Sequence, residues 1–363
     1  MKIKKIALGS LRVPLKAPFI TALRTVSEVD DILVRIETDD GISGFGEAPP
    51  TAVITGDTKE SITAAIQGFA APAVIGKDLS DFESIMNSVQ SCMVHNTSAK
   101  AAVDMALYDI FAKSCGLPLY RLLGGSRSEF ENDITISINS ADQMVRDSVS
   151  AVSQGFNILK IKTGTGGLED IVKISSIRKA VGDKVILRAD ANQGWDAKTA
   201  VRIITEMEQL GLNIELVEQP VRGDDFAGLL YVTNNVMTPV MADESVYSPQ
   251  DALRILSSGA ADIINIKLMK SGGIYNALKI CSIAESYGIR CMTGCMLEGK
   301  ISAGAAAHFA AGKSNVTMAD IDAPVLCAYD PFPGGPVFDG PRVIMSEEPG
   351  IGIEEVKTDW HYL

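Results

Sequence analysis

The sequence predicts an α/β protein: a modified (β/α)7β barrel of the TIM type, preceded by an α+β N-terminal capping domain. Two observations carry the prediction. First, six segments, ILKIKT, ILRADAN, IELVEQP, PVMADES, DIINIKLMK and TMADIDAP, each set an apolar run before a charged residue. A helical pattern follows all but the last. The tips are Lys160 and Lys162, Asp190, Glu218, Asp243, Lys267, and Asp320 with Asp322. Second, the step between successive tips, counted from Thr135, is near-constant: one strand, one helix and their loops. Parallel strands closed into a barrel bring such tips to one rim, where barrels of this kind carry their chemistry. An open doubly wound sheet also alternates strand and helix. No G-x-G-x-x-G follows the first strand, however, and tips of matched chemistry in consecutive units favour closure.

The elements follow in order. Residues 1–50 read as an antiparallel meander, with β-branched runs in KIKKIALGSLRVPL and DDILVRIETDDGISGFGEA and a turn at Asp39-Asp40-Gly41. PFITALRTV reads as a loop between them, with Arg24 near its tip. Residues 58–122 are helical, with starts at Ser80, spaced from Glu83 as a capping box, and at Thr97. Leu123-Gly124-Gly125 ends this region, so residues 1–126 are taken as the capping domain. Residues 127–326 then give eight strands and seven helices, among them 168–181 and 197–210 with clear apolar faces. In VLCAYDPFPGGPVFDGPRV the prolines and glycines exclude an eighth helix. Residues 327–363 are expected to return to the capping domain.

Bulk properties narrow the function. The 363 residues are 46% hydrophobic and carry a net charge of −12, with no basic cluster. Nucleic acid and anionic membranes are therefore not expected partners, and no apolar run is long enough to span a bilayer. The N-terminus reads as a strand rather than a signal peptide, because Arg12 and Lys16 interrupt any apolar stretch. Six cysteines without paired spacing read as free thiols in a reducing cytoplasm. Ser271-Gly272-Gly273 before a helix could present amides to an anion, although a tight strand-to-helix loop explains it as well.

The tips carry the chemistry. Asp190, Glu218 and Asp243, in consecutive units, would converge on one sector of the rim. Three such carboxylates repel unless a cation joins them, and an all-oxygen set suits Mg²⁺. Lys162 and Lys267 would fall on opposite sides of that cation. A free lysine has a pKa of about 10.4; to act as a base near neutrality it should fall toward about 7–8, which the cation and Lys160 would favour. Two bases facing each other across a metal suit removal of a proton from one face of a carbon and its return to the other. Metal binding of an adjacent carboxylate would stabilise the charge that develops. Racemisation or epimerisation is one outcome, and loss of a β leaving group the other.

KIKTG, RADANQGW, ELVEQP, MADES and NIKLMKSGG together resemble the enolase superfamily, in its muconate-lactonizing subgroup, over essentially the whole chain. The resemblance implies Lys162 and Lys267 as the acid/base pair and Asp190, Glu218 and Asp243 as Mg²⁺ ligands. It implies Lys160 as a holder of the substrate carboxylate. ADIDAP looks like the Asp-x-Asp signature of dipeptide epimerases, in which Asp320 and Asp322 would bind the substrate ammonium. Two carboxylates on alternate residues of an extended segment can clamp one such group. Arg24 resembles the arginine with which L-Ala-D/L-Glu epimerases pair the glutamate side chain. Loops around 19–26 and 52–57, including Ile54, would set specificity, and Thr135 and Glu298 would approach the substrate. The expected reaction is 1,1-proton transfer on a dipeptide through an enediolate, in recycling of cell-wall peptides. Alternatives are an N-acylamino acid racemase, an o-succinylbenzoate synthase, a cycloisomerase, or an epimerase of non-Glu dipeptides. The expected partner is the small substrate, and a homo-oligomer is left open.

Overall fold

The computed structural model describes all residues from 1 to 363. β1 (Ile3–Ile20), β2 (Thr25–Thr38) and β3 (Ser43–Ala48) form the antiparallel meander. Gly41 supplies the positive φ, +93°, that the turn between β2 and β3 requires. The expected loop PFITALRTV is largely strand: Phe19 pairs with Val26 and Ile20 with Thr25, leaving only Thr21 to Arg24 as the turn. β-branched residues on both arms account for the extension.

The helices of the cap run Lys59–Ala65, Phe82–Ser91 and Thr97–Ser114, with shorter turns between. Thr58 and Ser61 form a capping box at the first. The box expected at Ser80 and Glu83 does not form. Asp78 accepts from the Ser80 amide at 3.1 Å, and Glu83 instead accepts from the Tyr275 hydroxyl. Helix Thr97–Ser114 is buried on nearly every side, between β3 and the barrel. Gly44 and Gly46 permit that approach, since a Cβ on either would strike a carbonyl of this helix.

After the short β4 (Glu129–Glu131), the parallel strands follow: β5 (Ile134–Ile136), β6 (Ile158–Lys162), β7 (Ile186–Asp190), β8 (Ile214–Glu218), β9 (Val240–Ala242), β10 (Ile263–Lys267), β11 (Arg290–Gly294) and β12 (Val316–Asp320). They form one sheet in sequence order from β5 to β12. The Asp133 amide reaches the Ala319 carbonyl at 3.3 Å across the seam, so the barrel is nearly closed. Apolar residues facing outward, such as Leu159, Leu187 and Ile264, are fully buried beneath the helices. Inside, Leu216, Met241, Ile263 and Met292 pack into an apolar layer.

No full helix follows β12. Ala323–Leu326 makes one turn, and β13 (Val337–Asp339) and β14 (Arg342–Ile344) form a hairpin around Gly340 that pairs with β4. This small sheet was not expected from the proline- and glycine-rich tail; Asp-Gly between β-branched residues is its signal. β15 (His361–Tyr362) pairs with β1. The amides after Ser271-Gly272-Gly273 do bind a carboxyl group, but an internal one. Asp104 of helix Thr97–Ser114 accepts from Ile274 and Tyr275, joining cap to barrel. All six cysteines are free, and no helix is long and apolar enough to cross a membrane.

Candidate active site

Side chains along a strand alternate between faces, so one set from each barrel strand points inward. In register, Lys162 lies beside Asp190 and Asp190 beside Glu218. On the far side, Lys267 lies beside Gly294 and Gly294 beside Asp320. Two residues back along β6, Lys160 occupies the layer below. Backbone in the left-handed region follows the acidic tips, with Asn192 at φ 42°, Gln193 at φ 68° and Gln219 at φ 36°. Such conformations hold only where their surroundings enforce them. Here the Gln219 side chain accepts from the Asp243 and Ser245 amides and so braces one tip against the next.

Six carboxyl groups and four ammonium groups meet at this rim. Lys162 bonds Asp190 Oδ2 at 2.6 Å, and Lys267 bonds Asp243 Oδ2 at 2.7 Å. Lys160, 1% exposed, contacts Asp320 at 2.5 Å, Glu218 at 2.7 Å and Asp190 at 3.1 Å. Lys270 reaches the Asp243 carbonyl and lies 2.6 Å from its Oδ1, in line for charge attraction but not for a hydrogen bond. Glu244 and Asp322 complete the set.

For Asp190, Glu218, Glu244, Lys160 and Lys267 burial opposes the charge, and the balance with neighbouring charges decides each. Asp190 falls to about 2 because Lys162 and Lys160 outweigh its burial. Burial and Asp190 push Glu218 up to about 7, and burial and Asp243 push Glu244 up to about 8. Lys162 and Lys267 were expected to be lowered by a bound cation and by Lys160. Without the cation, burial works against the charges of Lys267 and Lys160, but for Lys267 the carboxylate of Asp243, and for Lys160 those of Asp320 and Glu218, prevail, and both are raised. If all ten groups are charged, the rim lacks two positive charges. The buried Glu244 Oε2, Asn192 Oδ1 and Asn265 Oδ1 also have no partner. A hard divalent cation among Asp190, Glu218 and Asp243 would offset the charge deficit, and the all-oxygen donor set fits Mg²⁺.

A cleft opens above these groups, between barrel and cap. Thr135, Lys160, Lys162, Lys267, Asp320 and Asp322 form its floor and far wall, and Arg24 and Ile54 reach in from the cap. Asp190, Glu218 and Asp243 lie just beneath. Asp322 is not in extended backbone; it starts the turn Ala323–Leu326, and its Oδ2 accepts the Thr135 amide at 2.7 Å. It still faces the cleft beside Asp320. The Arg24 guanidinium, half-buried, bonds no acceptor in the protein, and burial works against its charge. Glu298 does not line the cleft. It is 2% exposed and turned toward Glu47 of the cap, while Met296 and Leu297 present the wall.

Sequence reasoning passed over Glu244, Asn192, Asn265 and Lys270. Glu244 and Asn192 sit beside tips that it named, in MADES and RADAN. Asn265 lies two residues before Lys267, and Lys270 one helical turn after it.

Residues 5–124 match the mandelate racemase / muconate lactonizing enzyme N-terminal domain, and residues 143–358 match the enolase C-terminal domain-like family. The chain belongs to the mandelate racemase/muconate lactonizing enzyme family of the enolase superfamily. Within this family it is 54% identical to an L-Ala-D/L-Glu epimerase of Clostridium acetobutylicum, over 99% of this chain and all of that one. The substrate-liganded L-Ala-D/L-Glu epimerase from Bacillus subtilis superposes with a TM-score of 0.96 at 51% identity, covering 97% of this chain and 99% of its own. A dipeptide epimerase from Enterococcus faecalis, complexed with Mg and L-Leu-L-Tyr, superposes at 0.94 with 42% identity, covering 98% of this chain and 100% of its own.

Proposed function

We propose that the protein is a Mg²⁺-dependent dipeptide epimerase acting on L-Ala-D/L-Glu. The observation that carries the substrate assignment is the charge pattern of the cleft. On the barrel side Asp320 and Asp322 offer two carboxylates to an ammonium. On the cap side, Arg24 is a cation without a protein acceptor. A dipeptide with a free N-terminus and an acidic side chain meets both needs, and Arg can grip the side-chain carboxylate bidentately. High identity to L-Ala-D/L-Glu epimerases over nearly full length supports the same reading.

Asp190, Glu218 and Asp243 would hold Mg²⁺, which, when bound, would stabilise negative charge growing on the substrate's C-terminal carboxylate. Lys162 and Lys267, on strands β6 and β10 at opposite sides of the barrel, stand to either side of that position. With Mg²⁺ on Asp190 and Asp243, those carboxylates would hold the lysine protons less strongly; one lysine would then withdraw the α-proton from one face, and the other deliver a proton to the opposite face, inverting the centre. Each is anchored to a different carboxylate, Asp190 or Asp243. Lys160, fixed by three acids, supplies a constant positive charge beneath the carboxylate. Thr135 steadies Asp322 through its amide.

The test is incubation with Mg²⁺ and L-Ala-L-Glu in D₂O. Deuterium should enter the glutamate α-position as optical rotation changes. Unchanged Ala-Glu beside labelled hydrophobic or cationic dipeptides would move the assignment to another dipeptide. Turnover of N-acylated amino acids alone would remove the role given to Asp320 and Asp322.

A further inference from the structure

The boundary between cap and barrel contains a second acidic cluster, separate from the rim. Asp31 on β2, Glu47 on β3 and Glu298 in the loop after β11 are 1%, 0% and 2% exposed. None of the three forms an ion pair with lysine, arginine or histidine. Glu47 accepts the amides of Gly299 and Ser302, each at 2.9 Å, at the start of helix Lys300–Gly312. A helix N-terminus favours a negative charge, so Glu47 is the member suited to stay ionised. Asp31 lies within hydrogen-bonding reach of Glu47, yet its buried Oδ2 has no donor. Three buried carboxylates have no protons to offer one another; a protonated Asp31 turns repulsion into a hydrogen bond. Glu298 accepts the Met296 amide at 3.3 Å, next to the two residues that wall the cleft.

We propose that Asp31 and Glu47 share a proton across the boundary between the capping sheet and the barrel, that Glu298, buried beside them, keeps its own, and that the cluster thereby holds the Met296–Leu297 wall of the cleft in place. Glu298 is then a positioning residue. Burial and the charge of Glu47 push it up to about 8, and burial raises Asp31 in the same direction. The surrounding charged and titratable groups are Arg24, Lys267, Cys295 and Cys327, with Lys300 turned away to Asp330. None of them bonds the cluster.

A carboxyl that keeps its proton when folded, but loses it from about pH 4.5 when unfolded, weakens the fold as pH rises between those values. Its contribution is complete at low pH and lost by about pH 8. Thermal unfolding of the full-length protein from pH 5 to 9 tests this. E298Q has no proton to release, so its melting temperature should match wild type near pH 5 and exceed it by several degrees near pH 8. D31N should behave likewise if E298Q does not fold. Curves that stay parallel to wild type for both variants would overturn proton sharing. The wall assignment rests on the epimerase reading and has its own readout. E298A should raise KM several-fold with kcat nearly kept, and E298Q should restore KM. A KM in E298A equal to wild type would overturn the positioning role. The melting curves need no substrate, so failure of the epimerase reading leaves them decisive.

Discussion

The Tyr247 hydroxyl donates to the Ile54 carbonyl at 2.6 Å. Tyr247 follows the Asp243 tip on the barrel, and its ring lies 5.7 Å from the Lys270 ammonium that contacts Asp243. Ile54 belongs to the cap loop over the cleft. One side chain thus links the floor of the site to its lid.

Removing that bond should loosen the lid without touching the reacting atoms. A hydrogen bond of this kind contributes about 1 kcal/mol, so Tyr247→Phe should raise KM about fivefold and change kcat little. Steady-state kinetics on Ala-Glu decide it, and an equal fall in kcat with KM unchanged would assign Tyr247 to the chemistry instead.

The two lysines should be separable by stereochemistry. Lys162→Ala or Lys267→Ala should each lower epimerisation by about 10²–10⁴-fold. Each variant keeps one base, so each should still exchange the α-proton of only one of L-Ala-L-Glu and L-Ala-D-Glu with D₂O. Proton NMR on both diastereomers reads this directly. Exchange of both at wild-type rate in either variant removes that lysine from the pair.

These predictions rest on residues that the sequence exposes for a simple reason. A barrel strand must be apolar on its outward face, so a charged residue at its tip breaks the pattern and can be seen. Lys162, Asp190, Glu218, Asp243 and Lys267 were legible in this way, and the barrel with them. Arg24 needed the family resemblance, because a loop arginine looks like an ordinary surface residue; Asp320 and Asp322 were legible as a tip, but the clamp assigned to them came from the resemblance. Glu298 was misjudged. Its position after a strand end put it near the cleft, but the direction of its side chain depends on Glu47, far away in sequence, and no local pattern reports that. The extent of β1 and β2 was underestimated because pairing between Phe19 and Val26 is a property of two strands together.

Gly294 offers a test of how closely Lys267, the proposed second base, is held. A Cβ there would lie 2.6 Å from Asn265 Oδ1 and 2.9 Å from Lys267 Cε. Both are packed side chains, and Lys267 would have to move. Positioning errors of about 1 Å can cost on the order of 10²-fold in rate. Gly294→Ala should therefore lower kcat strongly while changing the melting temperature little. Unchanged kcat would mean that Lys267 has slack at its tip.

Bound metal should stabilise the fold, because it relieves repulsion among buried carboxylates that the unfolded chain does not have. Mg²⁺ at one hundred times its Kd should add about 2.7 kcal/mol. The melting temperature should rise with Mg²⁺, fall back with EDTA, and lose its Mg²⁺ dependence in Asp243→Asn. A wild-type melting curve indifferent to Mg²⁺ contradicts the ligand set.

The ammonium clamp predicts an acid limit to activity. Burial and the neighbouring Asp320 push Asp322 up to about 6, against the opposing effect of the Thr135 amide. In the proposed clamp, Asp322 above that pH would attract the substrate's ammonium as a carboxylate; below it the proton would remove the charge that binds. For Ala-Glu, kcat/KM should fall as pH drops through about 6, with the loss in KM. Asp322→Asn should lower kcat/KM and flatten this limb, since an amide does not titrate there. If the limb persists unchanged in Asp322→Asn, the titrating group lies elsewhere and the clamp rests on Asp320 alone.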